Sequence, residues 1–475
     1  MQQNNFVSSF MFHVSRILLR NWLPLMLAAG YTVIFSTLSI ARHEAFRTQT
    51  WDLGIFEQSF WNTLHGRVMF NNFEGANHLS IHFSPFLFLL VPFYALWPGP
   101  DPLLVLQAIA LGSAVIPLHR LVATSAGRRT ALVASLMYLL LPSLHWLNLF
   151  DFHEVALAVP ALLWAFDFMS ANRTIPAAVA LALAASVAEN IIIAVSGVGL
   201  YLLVNKRSRR FGTAVLASSA AYFLVVSTVL MPALGGKIYR FDRYASVGDS
   251  PVNIIRTIVT RPNVIWRTIT HPEKLAYLGR LLATTAGLPL LAPTTLILLL
   301  PGLAQNLLTD YTPQFASSYQ YDAILIPFLM IGVAGGWLFL ARRFPKAVPA
   351  LRWGVLGTSL AAFIWWSPLG LGAYPWTQFQ LDERAKTLAQ IRNAIAPQAK
   401  VAAATNLVPH LTHRDGIWMV GAEPAGLPDL VVIDLWDTTG FDSSEQFGNY
   451  LSRYVDDAGY RSQLIRQRFM ILTRR

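Results

Sequence analysis

The segment Thr50-Trp51-Asp52-Leu53-Gly54-Ile55-Phe56-Glu57-Gln58-Ser59-Phe60-Trp61 sets two carboxylates directly behind a long apolar stretch. Acids so placed are cheap to solvate yet close to any lipid substrate. Asp52 can take a proton from an acceptor hydroxyl while that oxygen attacks a sugar carbon, which is general-base work. The same residue can instead cap a helix starting at Leu53, an ordinary role for Asp. Glu57 lies five residues further on, about 140° around a helix, so the two acids need not share a face.

His78 and His82 follow in Asn77-His78-Leu79-Ser80-Ile81-His82-Phe83-Ser84-Pro85. At positions i and i+4 they fall on one helical face, where two neutral imidazoles can share a divalent metal ion. A third ligand would have to come from Glu74, Asp52 or the turn Asp151-Phe152-His153-Glu154; without one, each His is an interfacial hydrogen-bonding group. Asp151, His153 and Glu154 are three titratable groups at an apolar boundary, expensive there unless wet, paired or used. Further on, Lys237, Arg240 and Arg243 accompany Tyr239 and Tyr244, a composition suited to a phosphate or diphosphate at a membrane surface, or to anionic headgroups. Tyr319, Tyr321 and Asp322 precede another apolar stretch, as an interfacial aromatic belt does. The candidate catalytic groups are thus Asp52, Asp151 and Glu154. Glu57, His153, Arg240, Arg243 and Tyr321 are the candidate substrate-binding groups, and His78 and His82 the candidate metal ligands.

Membrane helices must position these groups. Of the 475 residues 54% are hydrophobic and only 13% charged, against about 25% charged in soluble domains. Lipid favours helices because each backbone polar group is then satisfied internally. The expected fold is all-α and polytopic, with about eleven transmembrane helices at 17–40, 103–122, 131–148, 155–170, 175–188, 191–204, 213–231, 275–288, 292–308, 323–340 and 351–371. The N-terminal stretch is too long for a cleavable signal and reads as the first span. Arg16 just ahead of it and Arg20 in its first turn place the N-terminus in the cytoplasm.

Topology argues that the apolar segment 82–97 lies along the surface as a juxtamembrane helix within a first outer loop, 41–101. Arg120, Arg128, Arg129, Arg173, the 206–210 cluster and Arg342–Arg343 then all fall inside. The turn at 150–154, the loop 232–274 and the tail fall outside. In the tail, 375–475, charges return: a helix at 381–395 and apolar runs at 400–405, 417–420 and 430–435 predict a small soluble α/β domain. The net charge of +11 does not indicate nucleic acid, because much of the basic excess lies between spans, where it fixes topology. With no cysteine in the chain, thiol chemistry and disulfides are excluded.

This order of features resembles the C-fold membrane glycosyltransferases (the GT-C fold), such as protein O-mannosyltransferases and the aminoarabinose transferase acting on lipid A. More closely, Trp51 to Gln58 together with His82-Phe83-Ser84-Pro85 resembles a family of prokaryotic predicted membrane proteins related to that superfamily. The resemblance implies a polyprenyl-phosphate sugar donor, inverting transfer to an acceptor on the outer face of the cytoplasmic membrane, often a divalent metal ion, and Asp52 as the base. Two departures stand out: Leu53 follows Asp52 where many members have a second acid, and His78 and His82 stand where the aminoarabinose transferases carry an acid–lysine pair. Two rival readings are a transporter or flippase of lipid-linked glycans, for which Glu189 is the main acid near a span, and a non-catalytic subunit of a membrane complex.

Overall fold

The computed structural model describes residues 2–206, 208–236, 240–371, 374–424, 428–456 and 459–475, with side chains from Trp22 onward. Lys237 and Tyr239 lie outside the described residues. Each of the eleven apolar stretches holds a helix, yet among the described residues only five helices are long and apolar enough to cross a membrane: Trp22–Glu44, Pro100–Ala126, Arg209–Ala233, Ile326–Arg343 and Val348–Trp366. A sixth arises if Arg128–Leu139 and Pro142–Leu149, bent by 45°, form one span. Thr174–Ala185 and Leu296–Leu307 have 12 residues each, about 18 Å of rise where roughly 30 Å of hydrocarbon must be crossed. Prolines explain part of the shortening. Pro142 opens a new helix after the break at Leu140–Leu141, and Pro289 and Pro293 keep the segment before Leu296 in short 3-10 turns.

The segment 82–97 contains a 3-10 turn, Pro85–Leu89, and a six-residue helix, Val91–Leu96, too short to span. The first long helix packs closely on the helix Pro100–Ser113. A Cβ on Gly112 would sit 2.9 Å from both Ala28 O and Thr32 Oγ1, so the backbones meet where no side chain fits.

The tail folds as a five-stranded mixed sheet. With Phe70–Asn71 and Ala76–Asn77 of the segment 41–101 as β1 and β2, the tail strands are β3 (Val401–Ala403), β4 (Ile417–Met419), β5 (Leu430–Asp434), β6 (Tyr460–Ile465) and β7 (Phe469–Arg474). Their order is β4-β3-β5-β7-β6, with β3 parallel to β4 and β5, and β7 antiparallel to β5 and β6. Leu388 and Ile391 of the helix Glu383–Ala394 pack with Val401 and Val432 into one apolar cluster. Phe46, from the segment after the first long helix, is buried in that same cluster.

Polar contacts continue the junction. Arg384 Nη1 donates to Phe46 O (3.0 Å), Asn406 Nδ2 to Thr48 O (3.1 Å), and Arg47 pairs with Asp382 (2.7 Å). Thr50 N donates to Thr405 Oγ1 (3.2 Å) while Thr50 Oγ1 donates to Thr405 O (3.1 Å). The tail therefore grips residues 46–50, the lead into Asp52.

Candidate functional site

Asp52 sits inside a wide five-residue turn, Thr50–Gly54, whose capping residue is Gln49. It caps no helix. Its Oδ1 instead lies 2.9 Å from His153 Nε2. His153 comes from the short connection after the helix Pro142–Leu149, and Gln107 holds that connection in place: its Nε2 donates to Asp151 O (2.8 Å) and its Oε1 accepts from His153 N (2.7 Å). Asp151 adopts a left-handed backbone (φ 62°), a conformation Asp tolerates better than most residues.

The Asp151 carboxylate is 2% exposed and accepts from Arg42 Nη1 and from Gln49 N (2.7 Å). It thus ties the end of the first helix to the residue that starts the Asp52 turn. That makes Asp151 a positioning residue. Asp52, with 16% of its side chain exposed, is the more accessible acid of the two.

Electrostatics separates the roles further. Burial pushes Asp151 up to about 6, with Arg42 opposing the shift and the neighbouring Asp52 charge adding to it. Burial would lower His153, but the charge of Asp52 and its hydrogen bond outweigh that, leaving the imidazole above its ordinary value. The Asp52–His153 contact thus favours the charged form of the imidazole. Phe150 stacks on His153 at 5.5 Å, and Tyr319 meets Phe150 edge-on at 4.9 Å. Arg243 lies over the Tyr311 ring (4.1 Å) and donates to the Tyr321 hydroxyl (3.2 Å). That hydroxyl is raised chiefly by burial, with Arg243 opposing the rise and the Asp52 charge adding a minor part of it.

A second cluster adjoins the first. His78 Nδ1 contacts Glu74 (3.0 Å), and His82 Nδ1 contacts Glu189 (3.1 Å), whose other oxygen accepts from Phe83 N (3.0 Å). The two imidazoles, 5.8 Å apart, each face a carboxylate of their own. Among the described residues, a set of three His or carboxylate ligand atoms within 4.8 Å of one another occurs at His43, Glu44 and Asp101, and not around His78 and His82. As placed, His78 and His82 do not bring a third ligand atom to a common point.

Burial disfavours charge on His82, but Glu189, then Glu154 and Glu74, overcome it and raise the imidazole to about 9. The sign follows: a histidine raised in the folded state stabilises fully below its ordinary value of about 6.5. That contribution is lost as pH rises through 9. Melting temperature should therefore fall between pH 7 and 10, and Glu189→Gln should flatten that fall; an unchanged slope in the variant would refute the pairing.

The remaining candidates lie apart. Glu57 is fully buried and accepts from Tyr94 OH (2.6 Å), with His413 Nε2 of the tail at 2.7 Å. It fastens the first outer loop to the tail. Arg240 is exposed, just before the turn that carries Arg243. Arg42 and Gln107 were missed in the sequence. Gln107 had a signal, being the one strongly polar side chain between Leu103 and Pro117.

A bundle of apolar helices followed by a small mixed sheet has counterparts among solved structures. The chain resembles the crystal structure of ArnT from Cupriavidus metallidurans bound to undecaprenyl phosphate, with a TM-score of 0.54 and 11% identity over 94% of this chain and 97% of that one. It also resembles the apo structure of the same protein, at TM-score 0.50 and 13% identity over 94% and 98%. The fold is therefore that of ArnT. Residues 42–445 match the family of predicted membrane proteins called DUF2079, and the chain belongs to that family. A comparison with curated proteins finds no match.

Proposed function

We propose that this protein transfers a sugar from a polyprenyl-phosphate donor to an acceptor at the outer face of the cytoplasmic membrane, with inversion at the sugar carbon. The observation that carries the reading is the Asp52–His153 pair, held by Arg42, Asp151 and Gln107 on an ArnT-like frame. The acceptor hydroxyl gives its proton to Asp52 as its oxygen bonds to the anomeric carbon. The bond from that carbon to the phosphate oxygen breaks, and the phosphate leaves already stabilised as an anion. It needs positive charge nearby more than a general acid, and Arg243, with Arg240 and Lys237 close in sequence, supplies that charge. His153 orients Asp52, Glu154 adds negative charge to the same wall, and residues 375–475 act as an extracytoplasmic domain that helps select the acceptor.

The transporter reading needs charges along a path through the spans. Glu189, its main candidate, is instead paired with His82 and Phe83 N at the break between two short helices.

Undecaprenyl phosphate should stabilise the purified protein, by about 2.7 kcal/mol at a hundredfold excess over Kd. Undecaprenol, lacking the phosphate, should stabilise it less. Arg243→Gln should shrink the difference between the two lipids, and equal stabilisation of the native chain by both would count against the proposal.

A further inference from the structure

The segment before the helix Pro272–Thr284 is tied down at both ends and exposed in the middle. At its start, a Cβ on Gly236 would lie 1.8 Å from Ser80 O, so the bare backbone packs on the first outer loop. Thr309 Oγ1 and Asp310 N both donate to Arg243 O (3.0 and 2.6 Å), and Ser246 donates to Asp310 from N and Oγ (2.8 and 2.6 Å). At the far end Lys274 Nζ donates to the carbonyls of Leu307 and Thr309 (2.7 and 2.8 Å). Between these anchors stand two helices, Pro251–Thr260 and Pro262–Ile269, and not one of their residues is buried.

Their sequence is strongly two-sided. At about 100° per residue, Val252, Ile254, Ile255, Ile258 and Val259 fall within an arc of about 160°, opposite Asn253, Arg256, Thr257 and Thr260. In the second helix Ile265, Trp266 and Ile269 gather on one side and Arg267 lies off it. Val252 and Val259 are each 73% exposed and Trp266 66%. Ile254 and Ile265 are half-buried and Ile269 packs on the main core, so the second helix is seated at its end, while Val252, Ile255, Ile258, Val259 and Trp266 stay open on an anchored loop and are shaped for something outside the chain.

Two observations identify that partner. Residues 250–272 carry Arg256, Arg261 and Arg267 and no acid, so the strap is purely basic. The preceding span Arg209–Ala233 leaves Leu224, Val225 and Val229 exposed on its last turns, so a lipid-facing surface runs up to the start of the loop.

We propose that residues 251–269 form an amphipathic strap lying in the headgroup layer of the leaflet on the Asp52 side. Its apolar stripe sits among the acyl-chain ends, and Arg256, Arg261 and Arg267 sit on the phosphates of anionic phospholipid. Trp266 takes the interfacial position where indoles collect. This inference rests on the membrane character of the chain and not on sugar transfer, so it stands or falls separately.

The absence of native cysteine makes the test direct, because one introduced thiol is then the only one. The full chain would carry a spin label at Ile255→Cys or Val259→Cys on the apolar side, or at Asn253→Cys or Thr260→Cys on the polar side. Each variant is placed in nanodiscs of phosphatidylcholine with phosphatidylglycerol. Labels at 255 and 259 should favour collision with oxygen over a water-soluble nickel chelate severalfold more than labels at 253 and 260. Discs of phosphatidylcholine alone, or Gln at all three arginines, should reduce that preference. Equal nickel access at the four sites overturns the proposal, as does shielding of 255 and 259 from both reagents, which would put protein on the stripe. A preference indifferent to lipid charge and to the arginines overturns their assignment to phosphate.

Discussion

Asp52→Asn should slow donor turnover by about 10²- to 10⁴-fold, the usual contribution of a positioned general base. Asparagine keeps the shape of the side chain and a carbonyl oxygen able to accept from His153 Nε2, so the turn Thr50–Gly54 has no reason to move. What disappears is basicity. Asp52→Glu, which restores a carboxylate about one methylene out of place, should recover part of the rate. The measurement is consumption of a radiolabelled polyprenyl-phosphate sugar by membranes containing equal amounts of each variant, with melting temperature as the control. Full activity in Asp52→Asn would remove this residue from the reaction.

The largest effect on stability is expected at Arg42. Its partner Asp151 is 2% exposed, and removing one member of a buried ion pair strands the other without compensation. Arg42→Ala should cost about 3–5 kcal/mol. The loss should depend on pH in a definite sense. Asp151 titrates near 6 in the folded protein, above its ordinary 3.8, so the native state holds this proton more tightly than the unfolded chain does. Stability from that proton is complete at low pH and is lost as pH climbs through 6. Without Arg42 the carboxyl has still more reason to stay neutral. Arg42→Ala should therefore be worse at pH 8 than at pH 5, and adding Asp151→Leu should restore much of the deficit. Equal costs at the two pH values would mean that the pair is not electrostatically coupled.

Much of this architecture was legible from apolar runs. The tail strands β3, β4 and β5 fall within the runs at 400–405, 417–420 and 430–435, and the helix Glu383–Ala394 within 381–395. The β6–β7 hairpin escaped notice for a local reason. Its turn uses Arg466 and Gln467, both at positive φ (49° and 53°), in place of the asparagine and glycine that announce such turns. β6, largely exposed at the sheet edge, lacks the alternation that marks a half-buried strand. Apolar length also hid where helices break, since hydropathy carries on across proline breaks such as the one at Pro142 where the helix does not.

At the site, Asp52, Asp151 and His153 stood out singly because titratable groups beside apolar runs are costly. Their convergence did not, for Asp52 and His153 are 101 residues apart and meet only through Gln107 and Arg42. Arg42 looked like an ordinary basic residue closing a span, and nothing local shows that it turns inward to a carboxylate.

Phe46 is a shared possession: it belongs by sequence to the membrane half and by packing to the sheet half. Five residues separate it from Asp52, with Thr50 among them pinned to Thr405. A molecule that docks on the sheet and shifts it would move the base by the same tether, and a substrate seated at the base would in turn alter how the sheet receives that molecule, since coupling between two binding events is mutual. Severing the tail would then cost more than acceptor recognition, for the proton-accepting turn would lose its anchor as well.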